Sequence, residues 1–284
     1  MMFVPAPKAG CTSIMWALAL AQGTVPRLPA VAVRGETRDQ RIHDPAFHGL
    51  PNLASLRSSE RQMVLDDPSW IRFCVTRDPY SRLLSGWINR VLLSGVERSI
   101  GADVFVGGSA DQSVPTDLGE GFRDFVRRLL GPAAPVLTDR HFYSQAVILR
   151  PDIFPYTDVV KIKELDGFVA RIAASSKERL LFDPQFVNSS LRIDPQSVFD
   201  VETGALVDAY FADDFEQFGY RRSEFAETAG PMPLSKREIE LISIVKAKSD
   251  RVLDLQRFRA RDSSLRTRVA RRVKAVRRRL QTHR

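Results

Sequence analysis

Cysteine is scarce in this sequence, and a long apolar run is missing altogether. Only two cysteines, Cys11 and Cys74, occur in 284 residues, which excludes a disulfide-rich secreted fold and is typical of a reduced compartment. The spacing of cysteines and histidines does not suggest zinc, and no acidic cluster suggests another metal, so we expect no metal. No stretch reaches the roughly 18 apolar residues of a transmembrane helix, so we expect no membrane span.

A Walker A loop is also missing. That motif, G-x-x-x-x-G-K-[ST], places its lysine after the second glycine, whereas here Lys8 precedes the only nearby glycine, Gly10. A kinase or nucleotidase that uses Mg-ATP would need this loop and an acidic magnesium ligand, and neither is evident. These absences argue against that class of enzyme.

The composition is that of a soluble protein with an ordinary core. Hydrophobic residues make up 44% and charged residues 27%, and 284 residues suffice for one large α/β domain with an appendage. The net charge of +8 is concentrated near the C-terminus, because Arg259 to Arg284 is densely basic and only Asp262 opposes it. We expect one domain over residues 1–225 and a helical, strongly basic extension over residues 226–284.

The N-terminal stretch predicts a strand, a tight loop and a helix. Met2 to Val4 is a short apolar run, and Ile14 to Ala21 is apolar and helix-forming. A helix N-terminus can bind phosphate through its unpaired N–H groups and its dipole. The loop adds a glycine for close backbone approach, a positive charge and two hydroxyl donors: Gly10, Lys8, Thr12 and Ser13. An ordinary turn with a surface lysine is the alternative.

A second stretch repeats this order. Residues 71–75 read as a buried strand, and Pro79 as the start of a helix. Arg77 stands at the strand end and Ser85 follows eight residues later, a little over two helical turns, so both can face one groove. We therefore predict a second anion site after a second parallel strand. The alternative is that Arg77 pairs with Asp78 and Ser85 is a small residue at a helix crossing.

Five segments in order resemble the carbohydrate sulfotransferase family 2, the group that includes chondroitin and dermatan 4-O-sulfotransferases. They are PAPKAGCTS at 5–13, CVTRDPYSRLLSGW at 74–87, DRHFYSQ at 139–145, YTDVVKIKEL at 156–165 and YFADDFEQFGY at 210–220. The first resembles the family's 5′-phosphosulfate loop and the second its 3′-phosphate motif. The resemblance implies a P-loop-like, three-layer α/β fold with a central parallel sheet flanked by helices.

The resemblance also implies the donor, 3′-phosphoadenosine 5′-phosphosulfate (PAPS), and its product, adenosine 3′,5′-bisphosphate (PAP). Lys8 would neutralise the leaving 5′-phosphate, and Arg77 with Ser85 would hold the 3′-phosphate. The loop would hold the 5′-phosphate through the residues Pro7, Lys8, Ala9, Gly10, Cys11, Thr12 and Ser13. The reaction would be an in-line transfer, in which the protein mainly positions groups and stabilises charge.

In related enzymes a histidine between the two phosphate motifs takes the acceptor proton, which makes His43 and His48 the catalytic candidates. His43 is slightly favoured because Asp44 could orient it; the alternative for either is a surface histidine without a role. The later motifs bring His141 and Lys161 as substrate-binding candidates, although Lys161 could equally extend to water at a strand end. The implied acceptor is a carbohydrate or glycolipid hydroxyl, and a small metabolite is compatible with the same residues.

The basic C-terminal tail has apolar residues between its arginines: Leu265, Val269, Val273, Val276 and Leu280. This amphipathic pattern favours contact with an anionic membrane or another polyanion, with a solvated tail as the alternative. No aromatic residues alternate with the charges, so we expect no specific nucleic acid. The oligomeric state is not predicted.

Golgi members of the family carry a membrane anchor and luminal disulfides, and this chain resembles a bacterial, cytoplasmic version, with peripheral contact at the inner membrane face. The alternative function is a non-catalytic or different-nucleotide P-loop-like protein that docks on membranes or polyanions through its tail.

Three further expectations concern secondary structure. Residues 201–218 read as one amphipathic helix that ends at Gly219, and residues 122–130 read as another. Residues 95–121 are rich in glycine, serine and aspartate and read as an insertion loop.

Overall fold

A computed structural model describes residues 1–24, 42–43, 45–93, 114–134, 137, 139–175 and 193–248. Within these residues the sheet has three parallel strands, β1 (Met2–Val4), β2 (Arg72–Thr76) and β3 (Asp158–Lys161), in the order β1-β2-β3. Helices flank the sheet. The expected P-loop-like α/β architecture is therefore confirmed.

The central strand β2 is buried at all five positions, as expected for a parallel strand covered on both faces. The strands are in register, with Val4 opposite Cys74 and Thr76 opposite Lys161. The carboxyl ends of all three strands therefore share one edge of the sheet. The segments that follow β1 and β2 both start there, and ligands of open α/β sheets bind at this edge.

The helices follow the strands as the motif order predicts. They are α1 (Cys11–Ala21), α2 (Pro45–His48), α3 (Ser58–Asp66), α4 (Pro79–Trp87), α5 (Leu118–Leu130), α6 (Gln145–Leu149), α7 (Leu165–Ser175), α8 (Val201–Tyr210), α9 (Ala212–Phe218) and α10 (236–248). Helix α4 continues as a π turn over Ile88–Leu92. Short 3-10 turns lie at Leu53–Ser55, Arg140–Phe142, Ile162–Glu164 and Pro195–Ser197.

Three apolar clusters hold these elements in the described part of the chain, and the two largest position the site. One lies against the sheet, where the Phe73 ring packs between Phe3 and Phe168 at centroid distances of 5.1 and 4.8 Å. The other joins α4, α5 and α8, with Phe122 packed 5.3 Å from Trp87 and 4.9 Å from Phe199. Helix α4 contributes to the second core and begins at the sheet edge, so it links the two halves of the fold.

The prediction of a single helix over residues 201–218 is wrong, because the chain breaks at Phe211, with φ −102° and ψ 25°. The break lets Phe211 and Phe215 both reach the core, at 1% and 2% exposure. The end of the predicted insertion loop is also wrong. Helix α5 starts at Leu118, because the Asp117 carboxylate caps it by accepting from Glu120 N at 2.8 Å. Residues 95–113 of that loop lie outside the described ranges.

The segment after residue 225 packs on the second core. Met232 N donates to Asp117 Oδ2 at 2.7 Å, Leu234 N donates to the Thr116 carbonyl at 2.8 Å, and Ile242 is 8% exposed. Helix α10 bears out helical structure over residues 236–248, while residues 249–284 lie outside the described part of the chain. The domain boundary at 225 stays a prediction. Among the described helices, none is long and apolar enough to cross a membrane.

Candidate active site at the carboxyl edge of the sheet

The loop between β1 and α1 has an unusual backbone. Lys8 has φ 66° and Gly10 has φ 78°, both in the left-handed region. Glycine adopts this conformation freely, but a lysine there is strained and is held only where the surroundings demand it. Such turns direct successive N–H groups to one side and form anion-binding hollows. Since Gly10 offers no side-chain cap to α1, the loop leaves the helix N-terminus open to a ligand.

Two guanidinium groups hold this loop from the second motif. Arg82 donates from Nε to the Pro7 carbonyl at 3.0 Å, and Arg77 donates from Nη1 to the Lys8 carbonyl at 3.4 Å. Arg82 also donates from Nη1 to the Tyr143 carbonyl at 2.7 Å, so it joins the loop to the third motif. The sequence reasoning missed Arg82, although it lies inside the 3′-phosphate motif, because helical arginines usually face water.

Burial and the neighbouring cations lower the pKa of Lys8 to about 8, with burial the largest cause and Arg77, Arg90 and Arg82 adding to it. Only the Cys11 thiol opposes them, and burial raises the pKa of that thiol. Arg82 is itself 1% exposed, and burial lowers its pKa to about 10. In the described ranges no carboxylate pairs with Lys8. Such a concentration of positive charge creates a site for an anion.

The third and fifth motifs support the second through a buried network. The Gln145 side chain accepts from Arg77 N at 2.9 Å and donates to the Arg77 carbonyl at 2.8 Å, so it pairs like a neighbouring strand. Asp214 caps α6 by accepting from Gln145 N and Ala146 N at 2.9 and 2.8 Å. It also accepts from Ser144 Oγ at 2.6 Å. Gln145 and Asp214 are both fully buried, so they fix the position of Arg77 from behind.

Lys161 takes part in a second support at the same edge. Its ammonium donates to the Gly219 carbonyl at 2.8 Å and lies 4.9 Å from the Tyr220 ring centroid. The Tyr220 hydroxyl is 2.9 Å from Thr76 Oγ1, at the end of β2. These contacts give Lys161 a structural role in holding the chain after α9. Its binding of substrate stays a prediction.

The two histidines between the phosphate motifs occupy different environments. His43 Nε2 lies 3.0 Å from Thr12 Oγ1, in the phosphate loop, and burial, then His141 and His48, lower the pKa of His43. His48 is 6% exposed, and its Nδ1 accepts from Leu50 N at 2.9 Å. The structure thus brings His43 to the loop and gives His48 a place in a turn. Asp44, expected to orient His43, lies outside the described residues.

Of the three described histidines, His141 is the one whose ring lies against a carboxylate. Its Nδ1 is 2.5 Å from Asp139 Oδ1, and the other carboxylate oxygen accepts from Arg90 Nε and Nη2 at 3.0 and 2.8 Å. Burial lowers the pKa of His141, the Asp139 carboxylate opposes this, and Arg90 and Lys8 lower it further. Sequence reasoning gave neither Asp139 nor Arg90 a role. Arg90 is 49 residues from Asp139, so no local pattern joins the two.

Ser85 lies in α4, one turn after Arg82, and is 5% exposed. Its contact with a 3′-phosphate stays a prediction. Over the residues that the structure covers, no group of three or more histidine, cysteine, aspartate or glutamate side chains could hold a metal ion.

Comparison with known families accounts for this arrangement. A model of the sulfotransferase family matches residues 1–221, which include all five motifs. The chain belongs to the sulfotransferase family. Family membership makes it a transferase of the EC 2.8.2 type, and the resemblance to carbohydrate sulfotransferase family 2 is confirmed at the family level. Searches of curated proteins and of solved structures each returned no match.

Proposed function

We propose that this sulfotransferase moves a sulfuryl group from PAPS to a hydroxyl of a carbohydrate or glycolipid and releases PAP. The observation that carries the proposal is the set of cations around the loop. Lys8 is half-buried beside Arg77, Arg82 and Arg90, and no carboxylate pairs with Lys8 in the described part of the chain. The donor, when bound, would supply the phosphates that this charge requires and the activated sulfur that is transferred.

The loop residues are suited to the 5′-phosphate side of that donor. The N-terminus of α1 and the hydroxyls of Thr12 and Ser13 would bind the phosphate, while the Lys8 ammonium would face the oxygen that leaves sulfur. Negative charge grows on this oxygen during transfer. A cation that is already fixed there stabilises the transition state more than the ground state.

Arg77 and Ser85 are proposed to bind the 3′-phosphate, the group that distinguishes this donor from ATP. Arg77 leaves the carboxyl edge of β2, and its backbone is clamped by Gln145. A guanidinium is well suited to a phosphate, because it can donate two parallel hydrogen bonds.

Calorimetric titration of PAP, with 5′-AMP as the comparison ligand, tests the donor. We expect binding that needs the 3′-phosphate and weakens at least about tenfold in Arg77→Ala, since a charge-assisted hydrogen bond is worth about 1.5–3 kcal/mol. Arg221→Ala is the matched control, because Arg221 is exposed. Equal binding of 5′-AMP, or no binding of PAP, would contradict the assignment.

The acceptor class is tested by following PAP release from PAPS with named acceptors. The panel contains desulfated chondroitin, desulfated dermatan, a galactosyl glycolipid and small hydroxylated metabolites. We expect release to rise with a carbohydrate or glycolipid. A response to the small metabolites alone would overturn the acceptor class but leave the donor assignment intact.

We also propose that the enzyme contacts anionic membranes through its C-terminal part. Helix α10 buries Ile242 and Lys246 but exposes Leu241, Ile244 and Val245 at 53%, 47% and 39%. Residues 249–284 contain 13 lysines and arginines against 3 aspartates. An exposed apolar stripe that continues into basic sequence suits an anionic lipid surface.

A further inference from the structure

We propose that His141 is the base that takes the proton from the acceptor hydroxyl, and that Asp139 and Arg90 position its ring. This inference rests on the proposed function. It replaces the substrate-binding role expected for His141 and the choice between His43 and His48 as the base.

The Asp139 carboxylate fixes His141 in place. One carboxylate oxygen accepts from His141 N at 2.9 Å and lies 2.5 Å from Nδ1 of the same residue. The carboxylate therefore holds both the backbone and the ring of His141. A carboxylate accepts hydrogen bonds, so the ring proton sits on Nδ1 and Nε2 keeps its lone pair. That tautomer is the one a general base needs.

Arg90 fixes the carboxylate in turn. It donates from Nε and Nη2 to the second carboxylate oxygen at 3.0 and 2.8 Å, and Asp139 is only 7% exposed. Hydrogen bonds from His141 and the charge of Arg90 hold the pKa of Asp139 well below its usual range, against the effect of burial. The carboxylate therefore stays charged and can stabilise a positive His141 ring once the ring accepts a proton.

His141 lies close to the phosphate loop. Two residues later, the Tyr143 carbonyl accepts from Arg82, which also donates to the Pro7 carbonyl beside Lys8. The charges of Asp139, Arg90 and Lys8 act on the His141 ring, and His141 in turn acts on His43. His141 thus lies within electrostatic range of Lys8, the lysine proposed to face the donor.

The other two described histidines have other partners. His43 Nε2 is occupied by the Thr12 hydroxyl at 3.0 Å, so His43 is suited to orient that hydroxyl toward a phosphate. His48 uses Nδ1 to accept from Leu50 N, and its ring is buried in the turn. Neither contact involves a carboxylate that could stabilise a proton on the ring.

In the proposed transfer step, the acceptor hydroxyl gives its proton to His141 Nε2 as its oxygen forms the new S–O bond. The bond between sulfur and the bridging oxygen of the 5′-phosphate breaks, and that oxygen keeps the electron pair beside Lys8. Asp139 stabilises the protonated ring, which afterwards releases its proton to water.

The test uses the full chain and the variants His141→Asn, Asp139→Asn and His43→Asn, with Arg140→Gln as the control at an exposed neighbouring position. PAP release from PAPS is measured with desulfated chondroitin and, separately, without acceptor so that water takes the sulfuryl group. PAP affinity is measured by calorimetry on every variant. The ring tautomer of His141 is read by nitrogen-15 NMR in the wild type.

We expect His141→Asn to lose about 10²-fold to 10⁴-fold in kcat with PAP affinity within about threefold of wild type. Asp139→Asn should lose less and move the acid limb of the pH profile of kcat/KM to lower pH, because the lost carboxylate raised the pKa of His141. A purely structural Asp139 would leave that limb in place. The NMR spectrum should show the proton on Nδ1.

Full turnover in His141→Asn together with the large loss in His43→Asn would overturn the inference and make His43 the base. A proton on Nε2 in the NMR spectrum would also overturn it. If the wild type neither binds PAP nor releases it from PAPS, the proposed function fails and this inference fails with it, whereas normal PAP binding together with normal PAP release by the wild type limits the failure to the choice of base.

Discussion

The carboxyl edge of the sheet buries polar side chains, whereas helix α10 exposes apolar ones. At the sheet edge, charged and polar side chains are buried: Arg82, Gln145, Thr76 and Asp214 are each at most 1% exposed. On α10, large apolar side chains face outwards, with Leu241 at 53% and Ile244 at 47% exposure. Each region reverses the usual rule of apolar inside and polar outside.

The two departures have different physical meanings. Burying a charge costs free energy unless it is paired, so the network at the sheet edge persists because it positions the loop that carries Lys8. An exposed apolar stripe costs little in the folded protein but favours contact with another surface. We therefore propose that the first region serves the reaction and that the second serves association with a membrane surface.

Apart from the histidine variants above, the largest expected effect at the sheet edge comes from Lys8→Met. We expect kcat to fall about 10²-fold to 10³-fold, with a smaller loss in donor affinity, because the charge opposite the ammonium develops in the transition state. Lys163→Met is the control, since Lys163 is exposed. Steady-state kinetics with PAPS give both values, and an equal loss in kcat and affinity would contradict this role.

The lowered pKa of Lys8 leads to a second prediction, which the same variant tests. In the free protein this pKa is about 8, below the ordinary 10.5, so the side chain loses its proton as the pH rises through 8. A bound phosphate should restore the proton. Calorimetry at about pH 8.5 in buffers of different ionisation enthalpy should therefore show proton uptake on PAP binding, and Lys8→Met should abolish it.

The next effect concerns the network behind Arg77. Asp214→Asn replaces a carboxylate that accepts from two backbone N–H groups and from Ser144. We expect the free energy of unfolding to fall by about 3 kcal/mol, because asparagine keeps only one acceptor oxygen and turns an NH2 group toward buried donors. Urea denaturation measures this change, and Asp213→Asn, at the exposed neighbouring position, should change it little. Equal stability of both variants would show that the cap is unimportant.

Polar substitutions on the exposed face of helix α10 should leave the stability nearly unchanged but weaken membrane binding. The triple variant Leu241→Gln, Ile244→Gln and Val245→Gln should change the free energy of unfolding by less than about 0.5 kcal/mol, because the three side chains are already exposed. Its binding to vesicles of phosphatidylglycerol and phosphatidylcholine should weaken at least about tenfold.

The control for α10 is Ile242→Ala, which lies on the buried face of the same helix at 8% exposure. It should cost about 2 kcal/mol or more of stability, because it leaves a cavity. Unchanged vesicle binding by the triple variant in a sedimentation assay would remove the apolar stripe from the membrane proposal and leave only the basic sequence.

The smallest expected effect is that of Tyr220→Phe. The variant removes one hydrogen bond, to Thr76, at the end of β2, and keeps the ring that packs beside Lys161. We expect a loss of about 1 kcal/mol in unfolding free energy. Tyr210→Phe, at a position 40% exposed, is the control and should be neutral. Thermal unfolding of both variants measures the difference.

The strands and the two phosphate motifs were predictable because their signals are local. A short apolar run followed by lysine, glycine and hydroxyl residues predicts the strand and the loop of Lys8. Pro79 predicts the start of α4. The break at Phe211 was not predictable in this way. The apolar spacing continues through it, and only packing against the core decides that Phe211 and Phe215 both turn inwards.

The sequence by itself determined the family, the parallel strand-loop-helix order and the identity of Lys8, Arg77 and the histidines as candidates. The tertiary structure alone decided which polar groups meet. Arg82 reaches Pro7 across 75 residues, Gln145 reaches Arg77 across 68, and Arg90 reaches Asp139 across 49. Sequence periodicity reports neighbours within one helix or strand. Contacts at such separations depend on how the folded elements pack, and the choice of His141 as the base rests on one of them.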